Sequence, residues 1–540
     1  MNSIPNIPKP INEPILSYAP GTPERAALSA ELKRQASLDV EIPAIIGGKE
    51  YRTGDLVAVT MPHRHRHQIA RVHQVDAKGL NLAVKASRKA HREWSSWKFE
   101  DRAAVFLRAA DLLAGPWRQV LNAATMHGQS KTSYQAEIDA ACELIDFWRF
   151  NAHWAERLLQ EQPMAAPGMW NRLDYRPLEG FVYAITPFNF TAIGGNLPGA
   201  PALMGNTAIW KPASTAALSN YYLMKLYEAA GLPPGVINFV PGHAAEVSER
   251  LINDPDLAGI HFTGSTSVFR LLWKQVGERL DKYVSYPRIV GETGGKDFVA
   301  VHPTADPQTV AVALVRGAYE YQGQKCSAAS RAYLPASLWP EIRDRMVAMM
   351  ETMRMGDVSD YRNFLGAVID QKSFTKLKGY LDRARKDKGV KIVAGGGTDD
   401  SVGWFVEPTL VQTKDPYYRM MCDEIFGPVL AVHVYPDDQW TATLKLVDRT
   451  SPYALTGSIF ARDRDVIQEA DQILRYAAGN YYVNDKPTGA VVGQQPFGGG
   501  RASGTNDKAG SVLNLTRWVS PRTVKETFVP PTDYRYPFLG

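Results

Sequence analysis

Tyr319-Glu-Tyr-Gln-Gly-Gln-Lys-Cys-Ser-Ala328 places one of only three cysteines in the chain directly after a glycine-containing turn and beside a lysine. A cysteine is most often a small, buried, hydrophobic residue. Here the polar and flexible flanks of Cys326 predict that its sulfur lies at a surface or in a cleft. Lys325 would favour the thiolate, which is the nucleophilic form of the side chain. Cys326 is therefore a candidate nucleophile.

A second stretch, Val290-Gly-Glu-Thr-Gly-Gly-Lys-Asp297, places a carboxylate between glycines just before an apolar run. A glutamate in a turn is often only solvated. An acid in a glycine-rich connection can, however, approach a reacting group without steric shielding. Glu292 is therefore a candidate base.

Short apolar runs alternate with helical segments on both sides of Glu292. This alternation is typical of parallel sheets that helices cover on both faces, so the chain is predicted to be α/β. The first series predicts a Rossmann-like nucleotide-binding domain, with strands at 181–185, 207–210, 236–240 and 259–262. The second predicts a catalytic α/β domain, with strands at 298–301, 331–334, 391–394 and 429–435.

No Gly-x-Gly-x-x-Gly fingerprint follows the first strand, so the usual dinucleotide signal is absent. Gly264 and Ser265 end one strand and open a helix, where free backbone N–H groups can receive a phosphate. The same pair could equally be an N-cap turn. Lys211 ends another strand, at the sheet edge where α/β proteins bind ligands, and it could reach ribose hydroxyls.

Composition excludes several classes of protein. The 540 residues carry a formal net charge of +5 without a basic block, so nucleic acid is not an expected partner. No run of 18 apolar residues occurs, so no membrane association is expected. Three cysteines without metal spacing indicate a reducing compartment, with Cys142 and Cys422 structural. We expect the cytoplasm, or the mitochondrial matrix if a presequence was removed. His63, His65 and His67 are expected in a solvated loop and not at a metal.

Gly-Glu-Thr-Gly-Gly-Lys followed by Gly-Gln-Lys-Cys, with Glu292 and Cys326 34 residues apart, resembles the paired active-site signature of the aldehyde dehydrogenase superfamily. The resemblance implies the aldehyde dehydrogenase fold and an oxyanion hole formed by Asn189 and the Cys326 N–H. It implies NAD as cofactor, with some NADP use because Ser214 stands where NAD-restricted relatives often carry glutamate. The implied cofactor-binding residues are Lys211, Ser214, Gly264, Ser265, Glu424 and Phe426.

The segments 187–196, 324–330 and 493–507 narrow the resemblance to the delta-1-pyrroline-5-carboxylate dehydrogenase family, over about residues 12–537. That family oxidises L-glutamate γ-semialdehyde to L-glutamate in proline catabolism. By resemblance, Ser327 and the backbone at 489–490 bind the substrate carboxylate, an acid meets its ammonium, and two aromatic rings sandwich its aliphatic part. Ala490 replaces the serine of some relatives, a minor change because the contact uses backbone N–H. The implied substrate-binding residues are Glu143, Phe190, Ser327, Gly489, Ala490 and Phe497.

Domain boundaries and assembly follow from the same patterns. Residues 1–159 and 181–291 are assigned to the NAD-binding domain with its N-terminal arm, and 292–485 to the catalytic domain. Residues 160–180 and 505–540 are predicted to form an oligomerisation hairpin and tail, a small β element that makes a homodimer or higher homo-oligomer. Residues 486–504 hold the substrate-anchor loop and a return segment.

Three alternative functions stay open at this point. The first is a dehydrogenase of broader specificity, acting on other semialdehydes or on aliphatic aldehydes. The second is a cysteine hydrolase, which would need a histidine to activate Cys326. The third is a catalytically silent structural member of the fold, against which the joint presence of Cys326, Glu292 and Asn189 argues.

Overall fold

A computed structural model describes residues 5–540, so the first four residues of the predicted N-terminal arm lie outside it. No helix in this range is long and apolar enough to cross a membrane. The helices, α1 to α17 in chain order, are Pro23–Ala36, Ala77–Trp94, Phe99–Ala114, Arg118–Gln129, Ser133–Ala136, Leu144–Gln160, Thr191–Leu203, Ala217–Ala229, Ala244–Ile252, Thr266–Gly277, Pro307–Tyr319, Trp339–Thr352, Gln371–Ala384, Arg419–Cys422, Trp440–Arg449, Arg464–Ile473 and Val512–Leu515.

The strands give the chain its two main layers. In chain order, β1 to β23 are Val40–Ile42, Ala44–Ile46, Lys49–Tyr51, Leu56–Met61, Arg64–His73, Met169–Pro177, Phe181–Ile185, Thr207–Lys211, Ile237–Phe239, Leu257–Thr263, Arg288–Glu292, Asp297–Val301, Ala329–Pro335, Val390–Ala394, Thr398–Asp399, Phe405–Val406, Thr409–Thr413, Val429–Tyr435, Tyr453–Ala454, Thr456–Phe460, Asn480–Val483, Gly500–Arg501 and Val519–Thr527.

The first sheet has seven strands in the order β11-β10-β7-β8-β9-β2-β3. The five from β11 to β9 are parallel, and β2 and β3 continue the sheet in antiparallel pairing. Central strands such as β10 are buried along their whole length, as expected when helices cover both faces. All four strands predicted for the nucleotide-binding domain are present.

The second sheet also has seven strands, in the order β14-β17-β18-β13-β12-β20-β21. All neighbours are parallel except β14, which pairs antiparallel with β17 at the edge. Separate hydrophobic clusters lie on its two faces, one under α13 and α15 and the other under α11 and α12. The four strands predicted for the catalytic domain are confirmed, so the chain has the predicted α/β architecture.

The helices between residues 77 and 160 cover the first sheet, with Phe106, Ala109, Ala110 and Leu113 buried on one face of α3. Residues 138–145 do not form one regular α-helix. A π-helix occupies Glu137–Glu143, between α5 and α6. Such π-helical turns are frequent at functional sites.

The predicted hairpin at residues 160–180 is wrong. Only one strand, β6, forms there, and it pairs antiparallel over its whole length with β23 of the C-terminal tail, from Pro177 opposite Val519 to Met169 opposite Thr527. The two segments that seemed to lack a partner are therefore partners of each other. Side chains along this two-stranded ribbon are half-buried or exposed, except Val519 at its base.

The described part of the N-terminal arm, from residue 5, runs over the surface before α1. Backbone and side-chain groups of the arm bind carboxylates of the helical layer, including Asn12 Nδ2 with Asp146 at 2.8 Å. The solvated loop predicted for the three histidines is wrong, because β5 begins at Arg64 and His63 is buried. Within residues 5–540 no cluster of three or more His, Cys, Asp or Glu side chains could hold a metal ion.

Candidate active site

Two sheet edges meet at the candidate site. The parallel strands of the first sheet end at Lys211, at Glu292 and just before Asn189 and Gly264. The strands of the second sheet begin just after Cys326 and after Glu424–Phe426. The chain crosses from one sheet to the other between the end of β11 and the start of β12. The carboxyl ends of one sheet therefore face the amino ends of the other, and the predicted catalytic residues lie between them.

The nucleophile segment is held rigidly, and the predicted flexibility of its flank is wrong. Tyr321 and Gln322 both adopt the left-handed conformation, with φ of 52° and 54°, which is unusual for non-glycine residues. The buried Gln322 amide donates to the carbonyls of Ser130 at 2.9 Å and Ala367 at 2.7 Å, and it accepts from Gly366 N at 3.0 Å. Strained backbone held by such surroundings clusters at active sites.

Lys325 does not serve the thiolate as predicted. Its buried ammonium is 3.2 Å from Glu320 Oε2 and is engaged there. Burial raises the pKa of Cys326 well above its usual value, and the carboxylates of Asp297, Glu292 and Glu424 raise it further. Burial and these charges therefore favour the thiol over the thiolate.

Asn189 joins the nucleophile segment directly. It follows β7, it is buried, and its Nδ2 donates to the Gln324 carbonyl at 3.0 Å, two residues before Cys326. An amide of this kind next to a nucleophile can stabilise an oxyanion.

Glu292 ends β11, and its carboxylate lies against the backbone of 498–499. A Cβ on Gly498 would lie 2.9 Å from Glu292 Oε1, so glycine leaves room for the acid. Glu292 Oε2 is buried without a hydrogen-bond partner among the described residues. Burial raises the pKa of Glu292 well above its usual value, while the positive charge of Lys508 opposes the shift. A buried carboxyl of this type is suited to proton transfer.

The cofactor side contains groups that fit a dinucleotide. Lys211 is buried, and within residues 5–540 its Nζ has one hydrogen-bond partner, the Pro212 carbonyl at 3.2 Å. Burial lowers the pKa of Lys211 to about 8. Gly264 and the exposed Ser265 precede α10, whose first turn has no side-chain cap. Ser214 is exposed at the start of a short 3₁₀ turn. A buried lysine and a helix N-terminus at the same edge of the sheet offer donors for ribose hydroxyls and phosphate.

Glu424 and Phe426 reach from the second sheet toward the same cleft. Glu424 Oε1 accepts from Gly295 N at 3.0 Å, beside the cysteine. Phe426 has a φ of 57°, a strained conformation for an aromatic residue, and its ring packs edge-on against Phe188 with centroids 5.8 Å apart. The contact with Phe188, which follows β7, brings Phe426 to the carboxyl edge of the first sheet.

The predicted substrate residues lie on the nucleophile side. Ser327 is buried and its Oγ is 2.8 Å from Thr488 Oγ1, which precedes Gly489 and Ala490. Gly489 has a φ of +94°, a conformation that glycine adopts readily. Phe497 is held by backbone bonds to Ala509 in both directions, at 3.1 and 2.8 Å.

Glu143 lies in the π-helix, with Lys131 and Lys325 among the charges that act on it. Burial raises the pKa of Glu143 to about 8. Phe190 precedes α7 and is half-buried.

Sequence analysis missed Lys131 and Asp139, which form a buried ion pair at 2.6 Å. Lys131 Nζ lies 4.1 Å from the centroid of the Phe190 ring and 4.4 Å from that of Tyr321. Asp139 accepts from Thr191 N at 3.0 Å and so caps α7 directly after Phe190. No short sequence motif predicts this ion pair. Its one signal is a lysine and an aspartate eight residues apart within a largely buried stretch.

The arrangement combines a cysteine, an amide donor beside it and a buried carboxyl. A thiolate can add to a carbonyl carbon, an amide can hold the resulting oxyanion, and a carboxylate can activate water for the release of an acyl group. The site is therefore suited to covalent chemistry on an aldehyde or an acyl group.

Comparisons with known proteins agree with this chemistry. Residues 50–524 match the aldehyde dehydrogenase family. The mitochondrial delta-1-pyrroline-5-carboxylate dehydrogenase of Dictyostelium discoideum is 53% identical over 537 residues, covering 99% of this chain and 96% of the relative. The human mitochondrial enzyme of the same name is 50% identical over 532 residues, covering 98% and 94%. A crystal structure of the Mycobacterium tuberculosis enzyme bound with NAD is 54% identical, covers 100% of both chains and has a TM-score of 0.97.

Proposed function

The chain belongs to the aldehyde dehydrogenase family, and we propose that it oxidises L-glutamate γ-semialdehyde, the open form of 1-pyrroline-5-carboxylate, to L-glutamate with NAD. This reaction is the second step of proline catabolism. The observation that carries the proposal is the convergence of Cys326, Asn189 and Glu292 from the facing edges of two sheets. The choice of substrate rests on the full-length likeness to enzymes of that name.

The first half of the reaction is covalent. Cys326 thiolate forms a bond to the aldehyde carbon, and the carbonyl electron pair moves to oxygen. The Asn189 amide and the Cys326 backbone N–H hold that oxyanion. Bound NAD supplies the chemistry of a hydride acceptor. Cys326 then carries the glutamyl group as a thioester.

The second half of the reaction releases the acid. Glu292 takes a proton from a water molecule, which attacks the thioester carbon. The carbon–sulfur bond breaks, L-glutamate leaves, and Cys326 returns as thiolate. The raised pKa of Glu292 matches this step, because a base with a raised pKa also accepts the proton more strongly.

The substrate tail carries a carboxylate and an ammonium. Ser327, with the backbone at 489–490, would bind the carboxylate, and Glu143 would ionise as it meets the ammonium. Phe190 and Phe497 would flank the aliphatic part.

Formation of NADH tests the function. The protein should reduce NAD with glutamate semialdehyde at a far higher kcat/KM than with short unsubstituted aldehydes. Equal values for both would favour a broader aliphatic aldehyde dehydrogenase, and no NADH with any aldehyde would overturn the proposal. Running the assay with NADP tests the expectation that the exposed Ser214 permits some NADP use.

The roles in tail recognition need a separate test. Ser327→Ala should raise KM for glutamate semialdehyde by roughly tenfold, since a charge-assisted hydrogen bond contributes about 1.5 to 3 kcal/mol. Glu143→Gln should do the same, while KM for a short aldehyde changes little in either variant. Equal increases for both aldehydes would mean that the two residues support the site without recognising the tail.

We propose a homodimer as the assembled form. The tail beyond β23 exposes apolar and aromatic side chains, and β21 leaves the edge of the second sheet open. The β6–β23 ribbon and the tail of one subunit would cover the β21 edge of the second sheet in the other subunit. The exposed tail residues are Phe528, Val529, Tyr534, Tyr536, Phe538 and Leu539.

Truncation after Thr527 tests the dimer and leaves the ribbon intact. Sedimentation velocity at micromolar concentration should then show monomers, with lower turnover than the full chain. A truncated protein that stays dimeric, or a full chain that is an active monomer, would overturn this proposal. We also propose a reducing compartment, the cytoplasm or the mitochondrial matrix, which localisation of the tagged protein in its own cells would test.

A further inference from the structure

The two elements proposed to recognise the substrate tail lie far apart in the sequence. Glu143 ends the π-helix Glu137–Glu143, whereas the backbone of 489–490 belongs to the substrate-anchor loop. Binding the two charges of one small molecule requires that these elements keep a fixed separation. A group that binds both elements would therefore set the geometry of tail recognition.

Asn12 in the N-terminal arm makes this connection with a single side-chain amide. Its Nδ2 donates to Asp146 Oδ2 at 2.8 Å and to the Val492 carbonyl at 2.8 Å. Its Oδ1 accepts from Gln494 Nε2 at 2.9 Å. Asp146 lies in the first turn of α6, which continues the π-helix, and Val492 and Gln494 lie in the substrate-anchor loop. Both N–H groups and the oxygen of the amide are therefore used between the two elements.

The groups that Asn12 binds are buried, so their hydrogen bonds are costly to lose. Asp146 is 3% exposed and Val492 is 7% exposed. Asp146 Oδ1 accepts from Glu13 N at 2.7 Å, so the arm supplies partners for both oxygens of this carboxylate. A buried polar group that loses its partner pays the free energy of its desolvation. The bridge therefore favours one separation of the helix and the loop.

The arm also binds the start of the π-helix. Glu137 is fully buried, its Oε1 accepts from Leu16 N at 2.9 Å, and its Oε2 accepts from the Tyr18 hydroxyl at 2.8 Å. Arg118 pairs with the same carboxylate. Arm residues 12–18 thus bind carboxylates on both sides of the end of the π-helix.

We propose that Asn12 is a positioning residue for substrate recognition. It holds the substrate-anchor loop at the separation from the π-helix at which Glu143 and the backbone of 489–490 reach the two charges of one amino-acid tail. Asn12 acts through Asp146 and Val492 and not on the reacting atoms. The inference rests on the proposed function, since Glu143 and 489–490 recognise the tail only under that proposal.

The bridge should affect binding more than chemistry. An aldehyde with an amino-acid tail uses both elements, whereas a short unsubstituted aldehyde uses neither. The covalent steps take place at Cys326 and Glu292, which the bridge does not contact. A rise in KM without a fall in kcat, confined to the charged substrate, is therefore the expected signature.

Asn12→Leu tests the proposal, because leucine keeps about the size of asparagine and removes the amide. We expect KM for glutamate semialdehyde to rise roughly fivefold to tenfold, the effect of one or two net hydrogen bonds. The kcat with this substrate should change little, as should kcat/KM with a short aldehyde. Alkylation of Cys326 by iodoacetamide, followed by the mass of its peptide, should match that of the native protein.

Gln494→Leu provides a second variant that disturbs no buried side chain, because Gln494 is exposed. Its KM for glutamate semialdehyde should rise in the same direction but less. The double variant should have the KM of Asn12→Leu alone, because the Gln494 side chain acts through Asn12. Additive increases would mean that the two residues act separately and would overturn the bridge.

Asn253→Leu is the matched control. Asn253 follows α9, donates to the Glu249 carbonyl at 2.7 Å and accepts from Arg279 Nε at 2.6 Å, so it also uses its amide in both senses. This variant should keep all kinetic constants. Thermal unfolding of every variant detects a folding defect. An unchanged KM in Asn12→Leu, or a KM raised equally for both aldehydes, would overturn the proposal.

Hydrogen exchange without substrate separates failure of this inference from failure of the proposed function. Peptides covering 137–146 and 488–494 should exchange faster in Asn12→Leu than in the native protein, and equal exchange would overturn the positioning role. A native protein without preference for glutamate semialdehyde over short aldehydes would refute the proposed substrate. A native preference that persists in Asn12→Leu would refute only the role of the arm.

Discussion

The nucleophile segment and the cofactor-facing edge of the first sheet differ in how far their polar groups are hydrogen-bonded within the protein. In the nucleophile segment, Gln322 satisfies three backbone groups and Lys325 is paired with Glu320. At the cofactor edge, Lys211 contacts a single carbonyl and the first turn of α10, after Ser265, has no side-chain cap. In the nucleophile segment, protein groups supply the hydrogen-bond partners. At the cofactor edge, polar groups remain available for a bound ligand.

The difference follows from what each region must do. A nucleophile has to stay within a few tenths of an ångström of its reactive position, so surrounding groups must fix it before substrate arrives. A cofactor site gains affinity when buried polar groups are satisfied only by the bound molecule. Substitutions in the nucleophile segment should therefore lower turnover and leave the affinity for NAD unchanged. Substitutions at the cofactor edge should weaken NAD binding and leave the reactivity of Cys326 unchanged.

The largest expected effect is that of Cys326→Ala. Dehydrogenase activity should disappear, because hydride transfer requires the covalent adduct, while the affinity for NAD measured by titration calorimetry should stay unchanged. Cys422→Ala, which changes a half-buried cysteine at the end of α14, is the control and should keep full activity. Substantial NADH formation by Cys326→Ala would remove the covalent mechanism.

Glu292→Gln should slow turnover by roughly 10²- to 10⁴-fold, the usual contribution of a general base. The first turnover should still give a burst of NADH, because only thioester hydrolysis loses its base. Glu292 acts as base only when ionised and its pKa is raised, so native turnover limited by hydrolysis should increase with pH, and the variant should lose this dependence. Rapid-mixing kinetics across pH checks both points. A variant without a burst would assign Glu292 to the first half of the reaction instead.

Gln322→Met should reduce the free energy of unfolding by roughly 2 to 4 kcal/mol, because it leaves buried backbone groups of Ser130, Ala367 and Gly366 without partners. The value of kcat should fall as well, since the segment that carries Cys326 loses its anchor. Denaturant unfolding and steady-state kinetics measure the two effects.

The matched control for Gln322 is Gln35→Met. Gln35 is also a buried amide, and it donates to the Val120 carbonyl under α1. This variant should lose stability and keep its kcat. If both variants keep kcat, the nucleophile segment does not depend on its anchor, and the contrast between the two regions fails.

Lys211→Met should have the smallest effect, an increase in the Kd for NAD of about tenfold, or about 1.4 kcal/mol. Because Lys211 has a pKa of about 8 and binds as a cation, native affinity should fall as pH rises through that value. The variant should lack this dependence, and its Cys326 alkylation should match that of the native protein. Lys225→Met, which removes a half-buried lysine that pairs with Glu228 on α8, is the control. A change in alkylation in Lys211→Met would show that the two regions are coupled.

Local sequence was sufficient for most of the architecture. The strands at 181–185 and 297–301 are short apolar runs between helical stripes, and that periodicity depends only on neighbouring residues. Glu292 and Cys326 could also be named as candidates from sequence, since each lies in a glycine-rich connection next to a buried strand. Asp297 was part of the quoted stretch, but its contacts could not be predicted, because they come from β20 and from the Cys326 segment.

What the sequence determined by itself is therefore most of the order of strands and helices along the chain, and it singled out Cys326 and Glu292 as the candidate nucleophile and base. Only the tertiary structure decided which strands pair and which buried side chains contact each other. It paired β6 with β23, more than 300 residues away in sequence, where local patterns had indicated a hairpin. It also paired Lys325 with Glu320, and within residues 5–540 it left Asp297 Oδ2 buried without a hydrogen-bond partner. The physical reason is that backbone periodicity is set within a few residues, whereas the partner of a strand or a buried charge is set by the packing of the whole chain.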